Sequence, residues 1–136
     1  YLLLDEAKKR GADWEEIARA ATSRCGCFQG AGLYEDWAQH DSLSSFAEVF
    51  ADEDFQKYFD MEIVECGEDK LHIQFHHCPL VAGWQEIGCG DEEVSKLCDA
   101  MDGDRNIAKA CQLDFTLGDT IADGAPCCDL TFRLKK

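Results

Sequence analysis

The stretch Lys70-Leu71-His72-Ile73-Gln74-Phe75-His76-His77-Cys78-Pro79-Leu80 joins two kinds of periodicity, and the fold prediction starts from it. Apolar and polar side chains alternate over residues 70–77, which predicts a strand whose polar face leads through His76 to Cys78. A helix-like pattern begins at Pro79, because proline can occupy the first helical position, where its missing N–H is not needed. The sequence therefore predicts a strand–helix junction with a thiol at the helix N-terminus and an imidazole two residues before it.

The segments on either side of this junction predict the fold class. Four segments alternate like strands, and they cover residues 61–66, 71–78, 113–117 and 128–134. Two helix-like segments separate the second strand from the third, and they cover residues 79–87 and 91–101. Short connections between neighbouring strands favour antiparallel pairing. We therefore predict an α+β fold in which N-terminal helices precede a β-β-α-α-β-β core, with helices packed on one face of a four-stranded antiparallel sheet.

Residues 1–136 are predicted to form one domain, with a helical part over residues 1–59 and the α+β core over residues 60–136. Two local signals in the helical part are specific enough to test. The Ser45-x-x-Glu48 spacing predicts a capping box that starts a helix. The glycine-rich composition of residues 25–32 predicts a loop.

Composition restricts the class of partner. The formal net charge is −15, which disfavours binding to nucleic acids and anionic membranes, since both need basic surfaces. No apolar run approaches the roughly 20 residues that a membrane span requires, and no signal-peptide pattern is present. The expected partner is a small molecule, and the expected location is the cytoplasm. The sequence starts at Tyr1 and not at Met, which is typical of a processed or trimmed product.

Nine cysteines are a high number for this length. Disulfide scaffolds are usually shorter, loop-rich and secreted, whereas these cysteines fall within periodic helix and strand patterns. We therefore expect reduced thiols, in agreement with a cytoplasmic location.

Short sequence words in the second half resemble a known family. They are His77-Cys78-Pro79-Leu80, Leu97-Cys98 followed by Asp102, Thr120-Ile121-Ala122-Asp123-Gly124-Ala125-Pro126, and Cys128-Asp129. In order and spacing, across residues 59–134, they resemble the L-2-amino-thiazoline-4-carboxylic acid hydrolase family. The resemblance implies hydrolytic opening of a cyclic amidine ring that bears a carboxylate. The arrangement is also similar to vinyl-4-reductase-like domains, small α+β modules that hold ligands and sometimes a cysteine-bound zinc.

One interpretation of the site is nucleophilic. Cys78 would attack the ring carbon as a thiolate, and His76 would act as its base or acid. Backbone N–H groups from Leu80 onward would hold the developing anion. Asp129 or Asp102 would orient the imidazole.

The second interpretation is a metal site. Cys78, Cys98 and Cys128 are the three thiols within the family-like words, and either His76 or His77 would complete a tetrahedral set for zinc. The nucleophilic interpretation requires no cofactor.

Simpler interpretations stand beside both. Cys98 and Cys128 lie on apolar faces, where buried thiols often only pack. His77 is on an apolar face too, which is typical of a satisfied core histidine. Cys78 could be an ordinary junction residue. The matching functional alternatives are a non-catalytic module that binds a small ligand or zinc, and an accessory protein that forms homo-oligomers through its aromatic stripes.

Overall fold

Four helices precede the first strand in a computed structural model, which describes residues 1–136. They are α1 (Leu2–Lys9), α2 (Trp14–Asp36), α3 (Leu43–Phe50) and α4 (Glu53–Phe59). The first two strands are β1 (Met61–Cys66) and β2 (Lys70–Phe75). Three helices come next: α5 (Pro79–Glu86), α6 (Asp91–Ala100) and α7 (Gly103–Ala110). Strand β3 (Leu113–Leu117), a short 3-10 helix (Ile121–Asp123) and β4 (Cys128–Leu134) follow.

The four strands form one antiparallel sheet in the order β1-β2-β4-β3. Leu71 pairs with Phe132 and Ile73 with Leu130 at its centre, and all four side chains are buried. Helices α3 and α7 contact the sheet. The α+β class, the antiparallel sheet and the helices on one face are therefore confirmed.

Strand β2 ends earlier than the alternation predicts. The N–H groups of His76 and His77 donate to the carbonyl oxygens of Asp60 and Phe59, at 3.1 and 3.0 Å. These two bonds go to the end of α4 and the residue after it, so the chain leaves the ladder after Phe75. The prediction that the strand alternation continues to Cys78 is therefore wrong, and strand parity does not decide where that thiol lies.

The predicted loop over residues 25–32 is also wrong, because these residues lie within α2. Gly26 and Gly30 are buried where α2 crosses α7. A Cβ atom at Gly26 would lie 2.6 Å from the Gly103 carbonyl oxygen, and one at Gly30 would lie 2.6 Å from Ala110 Cβ. The glycines therefore allow two helices to approach closely, and here they do not mark a turn.

The N-cap of helix α3 lies three residues before the predicted one. The hydroxyl of Ser42 accepts a hydrogen bond from the Ser45 N–H at 3.3 Å, so Ser42 is the N-cap residue. The earlier start places Leu43, which is fully buried, within the helix. The Ser45-x-x-Glu48 prediction is therefore wrong in position.

Two groups of buried side chains stabilise the fold. The larger lies between the N-terminal helices, α7 and the sheet, and Phe46, Phe50 and Phe132 pack at its centre. The smaller lies between α5, α6 and the 3-10 helix, around Trp84 and Leu97. None of the helices is both long and apolar enough to cross a membrane.

Candidate functional site

A cavity of about 680 Å³ lies where the two groups of buried side chains meet. Phe50 and Ile107 line it from the larger group, and Val81 and Trp84 line it from the smaller one. Hydrophobic residues make up 16 of the 24 that line it. Pockets for small organic molecules are typically about 300–1,000 Å³ and predominantly apolar, so this cavity has the size and character of a ligand site.

Aromatic side chains form one part of the cavity wall. The ring of Phe59 on α4 lies 4.6 Å from that of Phe55 and 4.7 Å from that of Phe75 on β2, measured between centroids. The ring of Phe50 on α3 lies 5.5 Å from Phe55. The i, i+4 spacing of Phe55 and Phe59 places both rings on one face of α4, above the end of the sheet.

Three thiols line the same cavity. Cys78 is the N-cap residue of α5, with extended φ and ψ of −124° and 110°, and Pro79 takes the first helical position. Cys98 comes from α6 and Cys128 from the start of β4. The Cys128 sulfur accepts a hydrogen bond from the Ile121 N–H at 3.3 Å. The structure therefore brings together the three thiols of the predicted site, from three separate elements.

Two of these thiols are protonated at neutral pH. Burial, together with the neighbouring Cys128 and Cys78, raises the pKa of Cys98 to about 12. Burial also raises the pKa of Cys128, although the hydrogen bond from Ile121 acts in the opposite direction. Since the thiolate is the reactive and metal-binding form, Cys98 and Cys128 are weak nucleophiles and weak metal ligands at neutral pH.

Of the other predicted catalytic residues, Asp102 lines the cavity, whereas His76 and Asp129 do not. His76 Nε2 lies 3.0 Å from Glu62 Oε2 on the surface of the β1–β2 pair. Asp129 accepts a hydrogen bond from Gln74 Nε2 at 3.3 Å and lies within hydrogen-bond distance of His72 Nε2. The structure therefore brings Cys78 to the cavity without the imidazole of His76 or the carboxylate of Asp129.

Although Cys78, Cys98 and Cys128 line one cavity, the predicted zinc ligands are not arranged as a metal-holding group. No group of three or more His, Cys, Asp or Glu side chains is arranged to hold a metal ion. His77 does not line the cavity. Its backbone N–H donates a hydrogen bond to the carbonyl oxygen of Phe59. The zinc interpretation, with Cys78, Cys98, Cys128 and His77 as ligands, therefore stays a prediction.

All the charged groups that line the cavity are acidic. They are Asp36, Asp52, Asp102 and Asp104. Asp102, the N-cap residue of α7, accepts hydrogen bonds from the Arg105 N–H at 3.3 Å and from Arg105 Nε at 2.6 Å. Asp52 caps α4 by accepting a hydrogen bond from the Phe55 N–H at 2.9 Å.

Asp104 differs from these two. Its carboxylate accepts no hydrogen bond and forms no ion pair within the chain. Burial, followed by the charge of Asp102, raises its pKa to about 6. Asp104 is not among the residues predicted from the sequence, because one carboxylate among 28 acidic residues carries no distinguishing signal.

The fold is similar to that of a known structure. A crystal structure of a trafficking protein particle complex subunit 3 from Naegleria fowleri, covalently bound to palmitic acid, matches with a TM-score of 0.60. The match covers 100% of this chain and 91% of that chain, at 13% identity, which shows a shared fold. The comparison with curated proteins found no significant match.

The sequence comparison assigns the family. The profile of the L-2-amino-thiazoline-4-carboxylic acid hydrolase family matches residues 1–132, so the similarity also covers the N-terminal helices, beyond the predicted residues 59–134. The chain therefore belongs to the L-2-amino-thiazoline-4-carboxylic acid hydrolase family.

Proposed function

We propose that this chain is a binding module that encloses an elongated, largely apolar small molecule in its cavity. The observation that carries the proposal is the cavity itself, which has a volume of about 680 Å³ and a mostly apolar wall in a chain of 136 residues. Transfer of apolar ligand surface from water into such a wall is favourable by roughly 25 cal/mol per Å². An alkyl chain would gain most of its binding free energy in this way.

The charged groups of the cavity wall also favour an apolar ligand over a small anion. Carboxylates are the charged groups of the lining, and no Lys, Arg or His side chain is among them. A small anion such as 2-aminothiazoline-4-carboxylate would lose its hydration there without gaining a cationic partner. A long apolar ligand without a free carboxylate avoids this cost.

The structural neighbour supports the feasibility of the proposal. The Naegleria fowleri subunit, which has the same fold, is described as covalently bound to palmitic acid. A fold of this kind is therefore compatible with an alkyl chain. At 13% identity, the likeness identifies no ligand-binding residue in the present chain.

A substitution that fills the cavity tests the proposal. Val49 is half-buried on α3 and lines the cavity, so Val49→Trp should reduce the affinity for octanol at least about tenfold by occupying its space. Val64→Trp is the matched control, since Val64 is exposed on β1 and outside the cavity lining. Isothermal titration calorimetry measures both, and circular dichroism checks that both variants are folded. Failure of the unmodified chain to bind octanol would refute the proposal.

A second candidate function is hydrolysis of a cyclic amidine. Family membership favours it, and so does the position of Cys78 in the cavity wall at the N-terminus of α5. In this version, Cys78 would be the nucleophile, and the N–H groups of the first turn of α5 would stabilise the anion that forms. The base would have to come from somewhere other than His76 in the position described above.

Turnover of 2-aminothiazoline-4-carboxylate, followed by NMR, tests this candidate. Cys78→Ala should lower the rate at least about a hundredfold if the thiol is the nucleophile. Cys66→Ala is the matched control, because Cys66 is exposed on β1. Absence of turnover by the unmodified chain would remove the hydrolase candidate and leave the binding proposal standing.

A further inference from the structure

We propose that Asp104 recognises the polar end of the ligand, and that this end is an amine or amidine that donates hydrogen bonds. The inference rests on the proposed function, since it requires that the cavity holds an apolar ligand. To the proposed apolar ligand it adds the chemical class of the head group and names the residue that binds that group.

The position of Asp104 is the first argument. It lies in the first turn of α7, is half-buried, and lines the cavity. Its neighbour Asp102, by contrast, is fully engaged by the N–H and Nε of Arg105. Asp104 is therefore a half-buried acceptor in the cavity wall that the chain itself leaves without a donor.

Such a group is costly to maintain. A carboxylate that faces a largely apolar cavity wall is only partly hydrated, and an unpaired charge there costs more than an unpaired neutral group. A ligand that brings N–H donors to this carboxylate would recover the cost, and a cationic donor would form a shorter and stronger bond. The cavity thus has an apolar wall for a chain and one unsatisfied acceptor for a head group.

The groups around Asp104 provide no alternative cation. Asp102 lies on the same helix, and Cys128 on β4 is within coulombic range of Asp104. The other ionisable groups of the cavity lining include the thiols of Cys78 and Cys98 and the carboxylate of Asp36 on α2. All of these are acidic groups or thiols, so the positive charge has to come with the ligand.

Arg105 is adjacent in sequence, but it is committed elsewhere. Its side chain is 54% exposed, its Nε binds Asp102, and its guanidinium carbon lies 5.3 Å from the centre of the Phe115 ring. Arg105 therefore does not neutralise Asp104.

Three probes with the same alkyl chain test the inference: octylamine, octanol and octanoate. Binding is measured by calorimetry at about 0.3 M salt, which screens the attraction of amines to the acidic surface. At about pH 7.5 we expect octylamine to bind at least about tenfold more tightly than octanol, and octanoate to bind most weakly. Asp104→Asn should abolish the advantage of the amine and leave octanol binding within about twofold.

Asp13→Asn is the matched control. It removes the same charge and keeps the N-cap of α2, since asparagine also accepts the hydrogen bond from the Glu16 N–H. It lies outside the cavity lining, so the preference for the amine should be unchanged.

The outcomes separate the two proposals. If the unmodified chain does not bind octanol, the proposed function fails, and this inference fails with it. If octylamine and octanol bind equally well, or if Asp13→Asn lowers the preference as much as Asp104→Asn, the role of Asp104 is refuted while the binding proposal stands.

Discussion

Asp104 is the residue at which stability and the proposed binding role conflict most directly. Its raised pKa means that the folded chain holds this proton more tightly than the unfolded chain does. Stability due to Asp104 is therefore greatest below its ordinary value of 3.8 and is lost as the pH rises through about 6. The loss amounts to about 3 kcal/mol at neutral pH.

Asp104→Asn should remove this pH-dependent loss. We expect the variant to exceed the unmodified chain in free energy of unfolding by up to about 3 kcal/mol at about pH 7.5, and by close to nothing at about pH 3.5. Urea unfolding at the two pH values measures the difference. Equal effects at both pH values would contradict the assignment of the shift to Asp104.

The thiols provide a second prediction at this scale. Since the pKa of Cys98 is about 12, its thiolate fraction at about pH 8 is roughly a thousandfold below that of an ordinary cysteine. Iodoacetamide should therefore modify Cys25, Cys27 and Cys66, which are exposed, long before Cys98. Peptide mass spectrometry of timed samples measures the order. Early alkylation of Cys98 in the folded chain would contradict it.

The close contact between α2 and α7 restricts which residues α2 can carry on the face that meets α7. A Cβ atom at Gly30 would lie 2.6 Å from Ala110 Cβ and 2.7 Å from the Ile107 carbonyl oxygen, and both are held by the helix itself. A methyl group there forces the helices apart, and overpacking of this kind typically costs about 1–3 kcal/mol.

Gly30→Ala should therefore destabilise the chain by at least about 1 kcal/mol. Gly32→Ala is the control in the same helix, because its Cβ would meet nothing within 4 Å. Alanine is the better helix former by up to about 1 kcal/mol, so this substitution should stabilise the chain. Chemical denaturation of both variants measures the two signs. A stabilising Gly30→Ala would contradict the close approach of α2 and α7.

Local pattern was sufficient for some elements and insufficient for others. The strands and α5 follow from alternation and from Pro79, which are properties of neighbouring residues. The glycines of α2 resemble a loop until α7 is in place, and the end of β2 depends on carbonyl groups of Phe59 and Asp60. These two errors have the same cause, since each depends on a contact with a separate element.

Some residues of the candidate site could be predicted from local sequence, and others could not. Cys78 could be placed at a helix N-terminus from its own neighbours, and the sequence words also singled out Cys98 and Cys128. Asp104 acquires its character from burial beside the cavity, which no local pattern records.

The charge of the whole molecule agrees with the proposed ligand class. A net charge of −15 makes the surroundings of the cavity attractive to cations and repulsive to anions before any contact is formed. Free fatty acids and anionic lipid surfaces are therefore disfavoured at long range, and an alkyl amine is favoured. The acidic cavity lining extends the same preference into the interior.

The cavity also connects the two groups of buried side chains, and this gives a prediction for the whole molecule. The smaller group, between α5, α6 and the 3-10 helix, contains 5 buried residues against 15 in the larger one. Segments with fewer buried contacts open more readily. A ligand that touches Val81 and Trp84 on one side and Phe50 on the other would couple the opening of the smaller group to that of the larger.

Octylamine at about 100 times its dissociation constant should therefore raise the free energy of unfolding by about 2.7 kcal/mol. It should also slow amide hydrogen exchange in α5 and α6 more than in α3 and β2, because the smaller group gains the larger share of its contacts from the ligand. Hydrogen exchange followed by mass spectrometry, with and without octylamine, measures this distribution, and Val49→Trp provides the control in which the cavity is already filled. Protection confined to the surface of α1 and α2 would mean that the amine binds the acidic exterior, and it would contradict an interior site.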